Sequence, residues 1–321
     1  MEKILKIAES CAHVTARPEH VFISEKALDG IAERMALDKT APPPWDRELH
    51  FYDGSGKTLM YVLVLDALNF CFFPDPGAPR WKVPWRDRWL DGYWALAAAL
   101  TCAFLKGIPL WDPLFLSTLS EEALREVLGG TAEIPLFRER LQNLREAGSA
   151  LITHFDGSFA ALVESAGHDA LALAGEVARH FPSFNDEALY RGEKVYFFKR
   201  AQILVSDLAG TFSGREWGFF HNLERLTAFA DYKIPQVLRS LGILSYSAPL
   251  ASKVDTRIFL PAGSPEEVEI RAATVTAVER LKERLNEKGR PLSACEIDWI
   301  LWQKGQEGSR LPYHLTRTIY Y

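Results

Sequence analysis

Two stretches hold residues whose types and spacing suit chemistry. The first, LTAFADYKIPQVLRSLGIL at 226–244, sets an acid, Asp231, just ahead of Ile234, Val237, Leu238 and Leu241 at helical spacing. With Pro235 in the first turn, Asp231 stands at a helix mouth, where a carboxylate accepts otherwise unpaired amide protons. It is either a cap or a reagent, and spacing alone does not separate the two. The second stretch, YFFKRAQILVSDLAG at 196–210, puts Phe197, Ala201, Leu204 and Leu208 on one helical stripe and Lys199, Gln202 and Ser206 along another. Arg200 and Asp207 lie on one side of that helix, so a solvated face with an internal ion pair is the plain expectation.

The elements that must position these groups are mostly helical. Residues 3–38 give two helical patterns broken at Arg17-Pro18, with Ser24 as N-cap for 25–36. KTAPPPWD at 39–46 is an extended connector. LHFY and LMYVLVLDAL on either side of DGSGKT predict a strand, a Gly-rich turn and a strand near residues 48–66. A phosphate-binding loop at GSGKT is disfavoured, because the required first glycine is Phe51 and a strand is expected to follow. From residue 86 onward the pattern is helical, with Ser120 starting one helix and Gly129-Gly130 ending it. The tail PYHLTRTIYY has the composition of a segment that docks on the core and completes the site, and EIDWILWQKGQ has the same two roles open to it, although Trp299 and Trp302, three apart, read as core. The fold class is mainly α with one small β-hairpin or short sheet. The expected organisation is a single compact unit over residues 1–321, any subdomain seam falling near 130–150.

The chain has 321 residues, enough for one large core or two smaller ones. Its net charge of −5 argues against a basic face for duplex nucleic acid but leaves room for a small anionic ligand. Cys11, Cys71, Cys102 and Cys295 form no CxxC pair, so neither a metal site nor a cofactor is expected, and the cysteines read as small buried residues in a reducing compartment. MEKILKIAESCAHV lacks a continuous signal-peptide core, and WALAAALTCAFL is too short to span a bilayer. A cytoplasmic protein with no membrane partner is expected; its oligomeric state is not readable.

Ala230-Asp231-Tyr232-Lys233-Ile234, then Gln236-Val237, then Ser240-Leu241-Gly242 resembles the motif of the helix-hairpin-helix DNA glycosylases, in which an aspartate opens a helix. Lys199-Arg200-Ala201-Gln202-Ile203-Leu204-Val205 is similar to the helix after their hairpin. The hairpin glycines and the cluster cysteines are missing, which removes the DNA-binding half of the signature. A resemblance over nearly the whole chain is to the queuosine salvage family. It rests on DALNFCFFPD, DGYWALAAAL, GIPLWDP, EIPLFRERLQNLREAG, FFKRAQILVSDL, FADYKIPQVLRSLGIL and PYHLTRTIYY, in that order. That family's fold is similar to the helix-hairpin-helix DNA glycosylases, so a glycosylase-like helical fold is implied.

The resemblance implies hydrolysis of queuosine 5′-monophosphate to queuine and ribose 5-phosphate. Asp231 would stabilise the oxocarbenium-like transition state and accept a proton from the attacking water. As a cap, it would be helped to stay ionised. Asn69 would meet the guanine-like edge of the base, with Asp66 a weaker choice, and Phe70 would stack on it; for Phe72 and Phe73 core packing is the simpler expectation. Lys199 and Lys233 would take the 5′-phosphate, Arg317 and His314 being second choices, and Lys199 has the ribose hydroxyls as its other role. Tyr232 would line the sugar site. Rival readings are a DNA or RNA base-excision glycosylase, and a non-catalytic nucleotide-binding helical protein.

Overall fold

Helix Pro265–Glu287 begins at Ser264, whose side chain accepts the Glu267 amide, and carries Glu266 and Glu267 in its first turn, where acids suit the helix dipole. In the computed structural model, which describes residues 2–38 and 41–321, this helix packs against helices Ile7–Thr15, Glu25–Leu37 and Ala294–Gln306. Ser24 caps the second of these, accepting the Ala27 amide at 3.2 Å. Ser120 starts helix Glu121–Leu128, and Gly129, at φ 49°, ends it. The connector's Lys39 and Thr40 lie outside the described residues; 41–46 has no regular secondary structure.

The chain is mainly helical, with three two-stranded antiparallel pairs among the described residues. Val21–Ile23 pairs with Leu244–Tyr246, and two hairpins join Lys82–Trp85 to Arg88–Asp91 and Glu187–Tyr190 to Glu193–Tyr196. In the latter hairpin Arg191 and Gly192 both have positive φ, as a tight primed turn requires.

The hairpin expected near 48–66 is not one of these: Gly56–Ala67 is a helix. Asp53 Oδ1 accepts from the Ser55 amide and hydroxyl and from the Thr58 hydroxyl, while Ser55 Oγ accepts from the Lys57 amide. GSGKT is thus a helix start. Thr58 through Ala67 are all buried, so the helix is apolar all round and shows no 3.6-residue alternation. A fully buried helix and a fully buried strand read alike in such a run.

Two main clusters of buried side chains form the interior. The larger gathers helices Gly56–Ala67, Gly92–Leu105, Phe137–Phe155 and Lys199–Thr211; the smaller gathers Glu25–Leu37, Lys233–Ser240 and Ala294–Gln306, with Pro265–Glu287 contributing to both. A third, aromatic cluster joins Phe70, Cys71 and Phe73 to Tyr313 and Leu315 of the tail. The tail is docked as its composition suggested: Leu315 O accepts the Leu260 amide, and Tyr321 O accepts the Cys71 amide at 2.9 Å. Among the described residues no helix is long and apolar enough to cross a membrane.

Candidate active site

Asp231 lies between Ala230 and helix Lys233–Ser240, and its Oδ1 accepts the amides of Lys233 at 2.7 Å and Ile234 at 2.8 Å. The cap expected from spacing is therefore present. Its Oδ2 takes no hydrogen bond from the described residues, and the side chain lines a cavity of about 730 Å³. Burial pushes this carboxyl above its ordinary value, while Lys199, the two amides and the Lys233 charge pull the other way. The cap was expected to keep the acid's pKa low; burial outweighs it.

Lys199, 5 % exposed, lines the same cavity from the start of helix Lys199–Thr211. Phe198 enters that helix in the left-handed region, and Asp186 Oδ2 accepts the Lys199 amide at 3.3 Å. The ammonium donates to Asn69 O at 3.4 Å. Burial lowers its pKa, and the charges of Asp231 and Asp66 raise it. This face is not solvated: Arg200 and Gln202 are buried as well. Nor does Arg200 pair with Asp207. It donates to the carbonyls of Asp66, Ala67 and Ser183 instead.

Those carbonyls explain how the Asn69 loop is held. At the end of helix Gly56–Ala67 the Leu68 amide folds back on the carbonyls of Leu65 and Asp66, and two buried guanidiniums add donors to the carbonyls at and just beyond this end. Arg140 donates to the carbonyls of Leu68, Phe70 and Cys71, and Arg200 serves the preceding turn. Both guanidiniums sit over the Phe70 ring, at 4.2 and 5.1 Å. Asn69 and Phe70 consequently line the cavity beside Lys199, with Phe72 and Phe73 on the same wall. A second clamp sets Asp231. Arg271 forms a bidentate pair with Asp186, at 2.5 and 2.9 Å, and its Nε donates to Ala230 O at 3.3 Å. One guanidinium thus fixes both the residue before Asp231 and the carboxylate that caps Lys199.

Of the residues singled out from sequence, Asp231, Lys199, Asn69, Phe70, Tyr232 and Lys233 share the cavity. Three do not line it. Asp66 is fully buried behind Asn69, whose Nδ2 donates to its Oδ1 at 3.3 Å, and burial pushes its pKa up to about 7. His314 is buried against the Tyr321 hydroxyl at 3.2 Å, and burial lowers its pKa to about 3. Arg317 donates to Phe73 O at 3.2 Å and pairs with Asp75, holding the tail to the aromatic loop.

The cavity also contains residues that were not among the expected site residues. Trp299 and Trp302 are stacked at 5.2 Å and form cavity wall, with the Trp299 indole donating to Pro43 O. They read as core because spacing places side chains on a helix face without saying what that face meets. Asp298, in the same helix, accepts the Phe229 amide at 2.9 Å; burial and the Asp231 charge push its pKa well up. An acid within the otherwise apolar run IDWILW was its only signal. Arg80 enters from the loop before the Lys82–Asp91 hairpin, paired with Asp91 at 3.1 Å. Arg80 and Lys233 oppose each other's positive charge, so two cations share this end of the cavity.

A profile of the queuosine salvage protein family matches residues 49–321. A Sphaerobacter thermophilus protein described as a queuosine 5′-phosphate N-glycosylase/hydrolase is 48% identical over 319 residues, covering 99% of this chain and 98% of its own. Proteins of the same description from Dictyostelium discoideum, 34% identical over 100% of both chains, and Mus musculus, 36% identical over 94% of this chain and 96% of its own, are similar along their length. This chain belongs to the queuosine salvage protein family.

Proposed function

We propose that the protein hydrolyses the N-glycosidic bond of queuosine 5′-monophosphate, releasing queuine and ribose 5-phosphate. The observation that carries the reading is Asp231: a buried carboxylate with one oxygen tied to two helix amides, the other without a partner among the described residues, and the Lys199 charge in the same cavity. The relatives' description as queuosine 5′-phosphate N-glycosylase/hydrolases supports it.

As the bond from C1′ to the base lengthens, positive charge builds on C1′ and the ring oxygen. The Asp231 carboxylate, only 9 % exposed, faces that charge, and its burial weakens the screening by solvent. Its raised pKa suits the second task, accepting the proton of the water that attacks C1′. The base leaves with the bonding electron pair and takes up one proton, which balances the proton removed from water. A 7-deazaguanine has carbon in place of N7, so protonation there is closed, and the developing negative charge falls to hydrogen-bond donors around the base. Asn69 and Phe70 adjoin the base, Tyr232 the sugar. Lys233 and Arg80 take the 5′-phosphate, and Lys199, wedged between Asp231 and Asp66, holds the ribose and balances both acids.

Asp231→Asn is the decisive test. Substrate binding should persist while turnover falls about 10²- to 10⁴-fold, the usual worth of a positioned acid–base group. Turnover equal to the parent's would remove Asp231 from the chemistry. Turnover of an oligonucleotide but not of the monophosphate would replace the substrate.

A further inference from the structure

Three buried side chains that the hydrolysis leaves unused form a chain leading to Arg271: His314, Tyr321 and Glu267, each no more than 2 % exposed. The Tyr321 hydroxyl donates to Glu267 Oε1 at 2.8 Å. With its one hydrogen committed there, its contact with His314 Nε2 at 3.2 Å must be one in which the imidazole donates. His314 Nδ1, which has no partner among the described residues, then carries the lone pair. Glu267 and Arg271 lie one turn apart on helix Pro265–Glu287, and Arg271 Nη1 stands 3.7 Å from Glu267 Oε1, the oxygen that Tyr321 fills. That is about 1 Å beyond a charge-assisted hydrogen bond, whereas the same Nη1 is 2.9 Å from Asp186 Oδ1.

Arg271 thus stands within reach of two buried acids. Paired with Asp186, it also donates from Nε to the carbonyl of Ala230, the residue before Asp231, while Asp186 Oδ2 accepts the Lys199 amide. The Asp186 carbonyl accepts the Phe197 and Phe198 amides as well, so this acid sets the turn that delivers Lys199. The Phe197 and Tyr321 rings lie against the guanidinium at 3.8 and 4.6 Å, and Tyr321 O holds the Cys71 amide, so ring and backbone are anchored without the hydroxyl. What the hydroxyl adds is a donor for Glu267. Without it, a carboxylate this buried has an oxygen to satisfy, and Arg271 is the cation beside it. Resting on Asp231 as the carboxylate of the reaction, we propose that the Tyr321 hydroxyl is a positioning group: by occupying Glu267 it leaves Arg271 to Asp186 and Ala230, and so fixes Asp231 and Lys199 together. It acts through two side chains and not on the substrate.

The parent, Tyr321→Phe, Glu267→Gln and the double variant together test this. Tyr321→Phe should lower kcat for the monophosphate about ten- to a hundredfold and change KM less than about threefold, the pattern of a misplaced catalytic group. With Glu267→Gln already in place the same change should lower kcat less than about threefold, because the amide oxygen can keep the Gly263 amide while its NH2 offers Arg271 no acceptor. Rescue by a second substitution excludes misfolding as the cause. Amide hydrogen exchange reads the clamp without turnover: in Tyr321→Phe the amides of Lys199, Lys233 and Ile234 should exchange about tenfold faster, and adding Glu267→Gln should restore them. The proposal is overturned if Tyr321→Phe is as active as the parent, if its loss is the same with and without Glu267→Gln, if the loss lies in KM, or if exchange at those amides does not change. Equal loss in both backgrounds would give the hydroxyl to packing, and a loss in KM would give it to the substrate. If the parent leaves the monophosphate intact, the hydrolase reading fails and the exchange rates alone decide the clamp.

Discussion

Asp231 and Lys199 line one cavity under the same pair of constraints. Burial drives both toward their neutral forms, and each charge draws the other back. Their titrations are linked, so a change at one must appear at the other. In the proposed role Asp231 has to be ionised to accept a proton, so activity should be lost as pH falls through its raised pKa, above the ordinary carboxylate value of 3.8. Lys199 holds that pKa down. Lys199→Met should move the acid limb of the kcat profile to higher pH; a limb that stays put or moves lower would show that the ammonium does not act on Asp231. Asp231 was legible because its cap and its motif fall within one short stretch. Asp298, Arg80 and Trp45 were not, since each reaches the cavity from a different element and local sequence carries no record of that convergence. Asp207 was seen, but as the partner of an arginine that turns the other way.

Among the elements, the decisive arrangement is the set of buried guanidiniums. Arg140 and Arg200 donate to the carbonyls at and just beyond the end of helix Gly56–Ala67, and Arg271 ties Asp186 to Ala230. Arg271→Met would leave the buried Asp186 without its counter-ion, a loss of about 3–5 kcal/mol that denaturant unfolding would measure. It should also lower kcat in the fraction that folds, because the turn ahead of Asp231 loses its anchor. A variant as stable and as active as the parent would show that packing alone holds the turn. Ser24, Ser120 and the Gly129 stop were readable because capping is local chemistry. The helix Gly56–Ala67 was mistaken for a strand because complete burial erases the period that tells the two apart. The arginines gave no warning either, since a basic residue in a helical pattern is expected to reach solvent.

At the scale of the whole molecule, the cavity has walls from both main cores: Lys199 and Asp207 stand on a helix of the larger, Lys233 and Asp298 on helices of the smaller. A ligand seated there touches both and should stabilise them together. Free queuine at a hundred times its Kd should add about 2.7 kcal/mol and raise one common transition; two transitions shifting apart would mean that the cores melt independently. Mainly α architecture and the overall charge were plain from composition and pattern, but the position of the cavity between two packed masses depends on contacts far apart in the chain. The acids around that cavity have a cost of their own. Asp66 and Asp207 keep buried oxygens without donors, and burial pushes Asp298 toward its neutral form as well. A laboratory selection for heat resistance alone would gather replacements at these positions first, and its hardiest survivors would be those that had given up their substrate.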